Sequence, residues 1–371
     1  MYERSKSLEE IIKRRIEREG AISFRDYMEI CLYYPDKGYY TSGRKIFGMK
    51  GDYLTSPYIT PLFGRIIAEQ FIEIEGYLNK LHIVEAGAGE GIFAEQVLKR
   101  LEEKGVEADY TIIEPFENLK KMQENNLKDF KVDWIASLEG VKNLKGCIFS
   151  NELIDAFPVH LIESTEDGIK EVFVTLDKGE FREVLMKADS RIEEYFKELG
   201  ISLPSGYRTE VNLDGIEWLE KCHEALKKGY IITIDYGYPS VDLYSQKRNS
   251  GTLMCYSKHT ATSNPYLSPG MWDMTSHVNF SALKLWGEKF GLSCLGYTDL
   301  ASFLLGAGAE EIMKEIMENK GYSSYAVKFQ SLKTLIMPES MGTTFRVLVQ
   351  SKNIRKSIGG VSRKPFIREE L

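Results

Sequence analysis

Apolar positions change period along the chain, and the changes mark out the elements. Ile11, Ile12 and Ile16 fall at helical spacing and predict a helix over 7–19, with a second over 24–33. The stretch Tyr33-Tyr34-Pro35-Asp36-Lys37-Gly38-Tyr39-Tyr40, continued by Gly51-Asp52-Tyr53-Leu54-Thr55-Ser56-Pro57, has turn chemistry and no sustained period. It reads as an ordered loop of the kind that serves function rather than packing. A long amphipathic helix is predicted from 61 to about 78.

A strand–helix alternation follows. Leu81-His82-Ile83-Val84-Glu85, Tyr110-Thr111-Ile112-Ile113-Glu114, Cys147-Ile148-Phe149-Ser150 and Tyr230-Ile231-Ile232-Thr233-Ile234-Asp235 are short, continuously apolar strands. Helices are predicted over 91–104, 116–125 and 218–226. Continuous apolar strands between helices predict an α/β fold, a mostly parallel sheet covered on both faces. Two segments break the rhythm, 159–213 and 238–278, and both read as insertions at the carboxyl ends of strands, where open sheets build ligand sites. A closing strand is expected near 344–350, then a loose basic tail over 354–371. The expected division is an N-terminal helical lid with a covering loop (1–78), core (79–158), insertion (159–213), core (214–237), insertion (238–278), core (279–353) and tail.

Composition narrows the class. The chain has 371 residues and a net charge of −7, from 48 basic and 55 acidic side chains. That balance disfavours a nucleic-acid partner. No apolar run approaches a membrane span, and the glutamate-rich N-terminus resembles neither a signal nor a transit peptide. Cys31, Cys147, Cys222, Cys255 and Cys294 are widely spaced, which predicts reduced thiols in a cytoplasmic protein with no metal site.

The densest chemistry lies after the first apolar strand, in Glu85-Ala86-Gly87-Ala88-Gly89-Glu90-Gly91. Glycines let the backbone turn tightly and let a ligand approach the main chain. A dinucleotide fingerprint needs GxGxxG, but Ile92 occupies the third glycine position. A compact turn of this kind suits S-adenosylmethionine, with Glu85 near the ammonium group and the backbone near the carboxylate. Glu114-Pro115 ends the next strand, roughly 20–25 residues beyond, where an acid can accept both ribose hydroxyls. After the third strand, Ser150-Asn151-Glu152-Leu153-Ile154-Asp155-Ala156 places Glu152 and Asp155 three apart, so that one helical turn would put both carboxylates on one face. Such a pair can hold a guanidinium bidentately and direct its nitrogen. The competing reading makes Asn151 and Asp155 helix caps, with Pro158 as the stop. Asp235, in Asp235-Tyr236-Gly237, ends the later strand at the equivalent place.

Together these motifs resemble the MidA-like S-adenosylmethionine-dependent methyltransferases. The shared segments include Gly38-Tyr39-Tyr40, Gly51-Asp52-Tyr53-x-Thr55-Ser56-Pro57, the glycine turn and Ser150-Asn151-Glu152-Leu153-Ile154-Asp155. Others are Ile234-Asp235-Tyr236-Gly237, Arg248-x-x-Gly251-Thr252-Leu253, His259 and Asp273-Met274-Thr275-x-His277. Ala88 and Asn279 depart from the pattern, which commonly has proline and aspartate there. The resemblance implies a class I, Rossmann-like methyltransferase fold with a seven-stranded, mostly parallel sheet. It implies S-adenosyl-L-methionine as cofactor, S-adenosyl-L-homocysteine as product, and N-methylation of arginine in a protein, with a respiratory-complex subunit as target. Carried over, Gly51, Asp52, Thr55, Ser56 and Ser150 join Glu85, Gly87, Gly89, Gly91, Glu114 and Pro115 around the cofactor. Asn151, Glu152, Asp155 and Asp235 become the catalytic set, and Tyr39, Arg248, His259 and His277 the substrate contacts. Methylation of a small-molecule amine or hydroxyl, and a non-catalytic assembly chaperone, are the alternatives. Oligomeric state stays open.

Overall fold

The computed structural model describes residues 7–44, 46, 48, 55–258, 260–337 and 341–371. Gly51, Asp52 and His259 therefore lie outside the described residues. Among the described residues the central sheet has eight strands, of which seven form its continuous path. We number them β1 (His82–Ala86), β2 (Asp109–Ile113), β3 (Asp133–Ile135), β4 (Leu144–Asn151), β5 (Leu226–Tyr238), β6 (Ser293–Asp299) and β7 (Phe345–Lys352). They run in the order β3-β2-β1-β4-β5-β7-β6, and a two-residue strand, Val278–Asn279, pairs beside the end of β5. All pairs from β3 to β5 are parallel, and β7 is antiparallel to both β5 and β6. This is the doubly wound arrangement in which ligands sit at the carboxyl ends of the strands where the order reverses, here β1 and β4.

The strands are apolar throughout because both sheet faces are covered. On one face Phe149 of β4 stacks on Phe93 at 4.5 Å, behind the helices Leu62–Leu78 and Ile92–Lys104. The other face buries Val84, Ile148 and Ile231 against the helices Leu213–Ala225 and Phe280–Phe290. Asn279, one of the departures from the family pattern, caps the second of these helices, accepting from the Ala282 N–H at 3.1 Å.

The two segments expected as insertions carry sheets of their own. The first supplies strands His160–Thr165, Gly168–Asp177, Glu180–Lys187 and Arg208–Val211, and the lid strand Ile22–Ser23 joins them antiparallel. The lid helices Leu8–Glu19 and Phe24–Tyr33 pack on this sheet, burying Ile12, Ile16, Phe24 and Met28 with Val172 and Val174. The second insertion forms a three-stranded sheet from Met254–Ser257, Thr260–Thr262 and Asp273–Thr275.

The tail departs from expectation. Its basic composition suggested a loose end, yet it packs on the core. Glu369 makes a two-point ion pair with the buried Arg346, at 2.6 and 2.7 Å. Asp299 accepts from the Phe366 N–H at 2.6 Å. A charged tail docks when its partners are buried charges that would otherwise be unpaired.

Candidate active site

The carboxyl ends of β1, β2, β4 and β5 converge on a cavity of about 930 Å³. One end of it is made by the glycine turn. Gly87, Gly89 and Gly91 all have left-handed φ, at 74°, 54° and 83°. That conformation is strained for any side chain with a Cβ. A Cβ on Gly87 would also sit 3.0 Å from Leu153 of the acid loop. Glu85 lines the cavity from β1, and Tyr110 donates to its Oε2 at 2.7 Å. Burial pushes the Glu85 carboxyl up to about 8.

Glu114 stands at the end of β2, also on the cavity wall, and burial pushes its carboxyl up to about 7. Its Oε1 accepts from the Phe116 N–H at 3.0 Å. Gln123 donates to its Oε2 at 2.8 Å and to the Gly89 carbonyl at 2.9 Å. Trp134 of β3 in turn donates to the Gln123 Oε1 at 3.0 Å. One buried glutamine thus ties the glycine turn to Glu114. The sequence signal for it was a polar residue on the inward face of the amphipathic helix Glu117–Asn126.

Ser150 is buried inside β4, paired beside Ala86, and is not among the cavity-lining residues. Its assignment to the cofactor is corrected: its position is structural. Thr55 and Pro57 do line the cavity, while Ser56 packs just behind. The Ser56 N–H donates to Glu152 Oε1 at 3.3 Å, and its buried Oγ has no partner. Gln96 fixes this segment by donating to the Pro57 carbonyl at 2.8 Å while accepting from the Gly64 N–H. Tyr58 donates to Glu90 of the glycine turn at 2.5 Å.

The acid loop reaches its shape by a different route from the helical turn expected. Glu152 takes a left-handed φ of 52°, and a 3₁₀ turn, Ile154–Ala156, begins two residues later. A left-handed non-glycine residue is rare and costs of order 1 kcal/mol or more. It brings Glu152 and Asp155 to one cavity without helical spacing. Asp235 is what holds the loop. Its Oδ2 accepts from the N–H groups of Leu153, Ile154 and Asp155 at 3.3, 3.0 and 3.3 Å, and its Oδ1 from Tyr236 N–H. Fully buried and pointing at backbone, Asp235 does not line the cavity, so its place in the expected catalytic set is corrected to that of a residue orienting the loop.

Glu152 is pushed up to about 8, first by burial and then by the Asp155 charge. Asp155 is pushed up to about 6 by burial, against a hydrogen bond donated by Tyr236 to its Oδ2. The Asp155 Oδ1 and the Asn151 Oδ1 are buried without partners. Asp273 adds a third carboxyl to this end of the cavity and accepts from Tyr40 OH at 2.8 Å. His277 lines the cavity too, edge-on to Tyr236, and burial pulls its imidazole down to about 4, helped by Arg248.

The expected substrate contacts fare unevenly. Tyr39 is buried in the lid core and does not line the cavity. Its neighbours do so instead: Tyr33 stacks between Tyr40 (5.5 Å) and Phe116 (5.7 Å), and donates to the Ala156 carbonyl at 2.8 Å. Arg248 lies outside the cavity, its guanidinium 3.8 Å over the Tyr238 ring and donating to the Asp242 carbonyl. Both assignments are corrected, because packing rather than solvent satisfies these side chains. Gln123 was not singled out by sequence reasoning; Tyr236 and Asp273 entered it only within family motifs, and Tyr33 and Tyr40 only as part of an aromatic cluster able either to stack on a cation or to pack the lid.

The residues fit S-adenosylmethionine. A left-handed glycine turn admits a ligand to its backbone, a buried acid stands at the next strand end, and unpartnered polar atoms face the far end. Comparison with known proteins agrees. Residues 62–298 match a family described as S-adenosyl-L-methionine-dependent methyltransferases. A solved Burkholderia thailandensis structure bound to S-adenosyl-homocysteine is similar at 32% identity and TM-score 0.88, covering 96% of this chain and 94% of that one. Curated relatives include protein arginine methyltransferase NDUFAF7, mitochondrial, of Danio rerio, 26% identical over 92% of this chain and 86% of its own length. The Homo sapiens protein of the same name is 24% identical over 95% and 86%. These names are mitochondrial, which overturns the cytoplasmic reading drawn from the cysteines: spacing reports the redox state of thiols, not the compartment. With the match spanning the glycine turn, the acid loop and the strands between, the chain belongs to this family of methyltransferases, and S-adenosyl-L-methionine is its cofactor.

Proposed function

We propose that the protein N-methylates arginine in a protein substrate. One observation carries the reading: the acceptor end of the cavity holds three carboxyls, Glu152, Asp155 and Asp273, with Asp155 Oδ1 and Asn151 Oδ1 buried and unpartnered. Buried acceptors without donors are costly, about 1–3 kcal/mol each, and a guanidinium brings five N–H donors and a charge. The relatives named protein arginine methyltransferase support the same acceptor.

When bound, the cofactor supplies a methyl group already activated on a sulfonium. The glycine turn and Glu114 would hold it. Glu152 and Asp155 would hold the guanidinium bidentately and aim one nitrogen, so positioning provides most of the rate. The lid residues Tyr33 and Tyr40 exclude water from that side. The second insertion, which lines the cavity with Tyr256, Asp273, Thr275 and His277, suits a protein acceptor rather than a small amine. A respiratory-complex subunit, the target implied by the resemblance, is the first acceptor to test.

The test is transfer of tritiated methyl from the cofactor to a lysate of cells lacking the protein. Acid hydrolysis should yield labelled methylarginine. Label in a small molecule, or in alkali-labile ester, rejects the arginine reading.

A further inference from the structure

Methylation of a guanidinium leaves one proton too many, and the cavity contains a group arranged to take it. We propose that Asp155 Oδ1 accepts this proton and that Tyr236 is the positioning residue that makes Asp155 able to do so. The inference rests on the nitrogen-acceptor reading above. As the N–CH₃ bond forms and the S–CH₃ bond breaks, the sulfonium charge is discharged. The attacking nitrogen loses its N–H proton to the Asp155 carboxylate, and the methylguanidinium keeps a single positive charge.

The geometry divides the two oxygens of Asp155. Tyr236 OH donates to Oδ2, while Oδ1 is buried without a partner in a residue that lines the cavity. The carboxylate is held on both sides of the backbone as well: its own N–H goes to Asp235 Oδ2 at 3.3 Å, and its carbonyl accepts from Ser276 N–H at 3.0 Å. Tyr236 cannot swing away. Its ring meets His277 at 5.4 Å and Phe345 at 5.7 Å, both edge to face. Oδ1 is therefore the basic oxygen, at a fixed place.

The surroundings place its proton affinity in a useful range. Burial pushes the Asp155 carboxyl up to about 6, and the Tyr236 hydrogen bond opposes that push. A general base works best when its affinity lies near the operating pH. The groups around it are Glu152 on the same loop, Asp235 and Tyr236 from β5, and Asp273, Thr275 and His277 from the second insertion. Tyr33 of the lid donates to the next carbonyl, and Asp214, also on the cavity wall, is already paired with Arg25 at 2.7 Å. Glu152 is raised further, but its Oε1 is already engaged by the Ser56 N–H at 3.3 Å and by Asn151 Nδ2 at 3.2 Å, which leaves it to hold the cation.

The experiment is the pH dependence of initial methyl incorporation into the same lysate, from about pH 5 to about pH 9, in wild type and Tyr236→Phe. Wild type should lose rate on an acid limb. In Tyr236→Phe the hydrogen bond that favours the carboxylate is gone, so the limb should move up by about one pH unit and the plateau fall about tenfold. Binding of S-adenosylhomocysteine, measured by calorimetry, should stay within about threefold, which reports an intact fold. If Tyr236→Phe transfers too slowly to time, carboxyl-carbon NMR of Asp155 should report the same upward shift. Asp155→Asn should lose at least about a hundredfold. An acid limb that does not move, or an Asp155→Asn variant keeping a tenth of the rate, overturns the proposal. The chemical identity of the labelled residue is read from the same samples, so failure of the arginine reading is seen separately.

Discussion

The two ends of the cavity are built on opposite plans. The cofactor end is mostly backbone: three left-handed glycines within one turn, joined to Glu114 by Gln123. The acceptor end is mostly side chain, with Glu152, Asp155, Tyr236, Asp273, Tyr33 and Tyr40 drawn from the acid loop, β5, the second insertion and the lid. A ligand common to a whole class can be met by main chain, which any sequence supplies once glycine permits the shape. A particular acceptor needs particular side chains, and here the core supplies Glu152, Asp155 and Tyr236 while the second insertion and the lid add Asp273, Tyr33 and Tyr40.

Substitutions that act on one end should leave the other alone, and each offers a way to break that division. The largest effect on affinity is expected at Gly89, whose φ is 54°. Gly89→Val puts a β-branched residue into the left-handed region and should weaken S-adenosylhomocysteine binding by about a hundredfold or more in calorimetry. Gln123→Leu keeps the volume but removes both donors, to Glu114 and to the Gly89 carbonyl. Two lost hydrogen bonds at about 1 kcal/mol each predict roughly a ten- to thirtyfold loss of the same affinity. Unchanged affinity in Gln123→Leu contradicts the link between the turn and the acid.

Buried acids give a pH signature. Glu85, Glu114 and Glu152 are held at about 8, 7 and 8, above the usual 4.5 of an unfolded glutamate. The folded state then binds protons more tightly than the unfolded one. This stability is fully present below about pH 4.5 and is lost as pH rises through 7 and 8. The melting temperature, measured without cofactor, should therefore fall between about pH 6 and about pH 9, and Glu85→Gln should flatten that fall. An equally steep fall in Glu85→Gln assigns the titration elsewhere. The smallest effect is expected at Arg248, which stacks on Tyr238 outside the cavity. Arg248→Ala should change S-adenosylhomocysteine affinity less than about twofold.

The same division decided what could be read from the sequence. The glycine turn, Glu114 and the alternation of β1, β2, β4 and β5 are local patterns, and the structure has them within a few residues. The acid loop was found by its residues but not by its conformation. A left-handed Glu152 carries no local signature, since glutamate has no preference for that region; the Ile234 carbonyl, which accepts from its N–H at 2.9 Å, and the buried Asp235 beneath the next residues hold the shape. Asp235 itself looked like a site residue because a strand end exposes some side chains and buries others, and position alone does not tell which. Tyr39 and Tyr40 are adjacent and chemically identical; one is core and one lines the cavity, according to which way the loop turns. The docked tail was illegible because its partners, Arg346 and Asp299, lie on β7 and β6.

The division of the cavity is tested most directly in the Glu152→Ala, Asp155→Ala double variant, by measuring S-adenosylhomocysteine affinity and methyl transfer on one preparation. The account predicts affinity within about threefold of wild type and transfer reduced about a thousandfold or more. Transfer that persists, or affinity that collapses along with it, contradicts the claim that one end holds the cofactor while the other carries the acceptor chemistry.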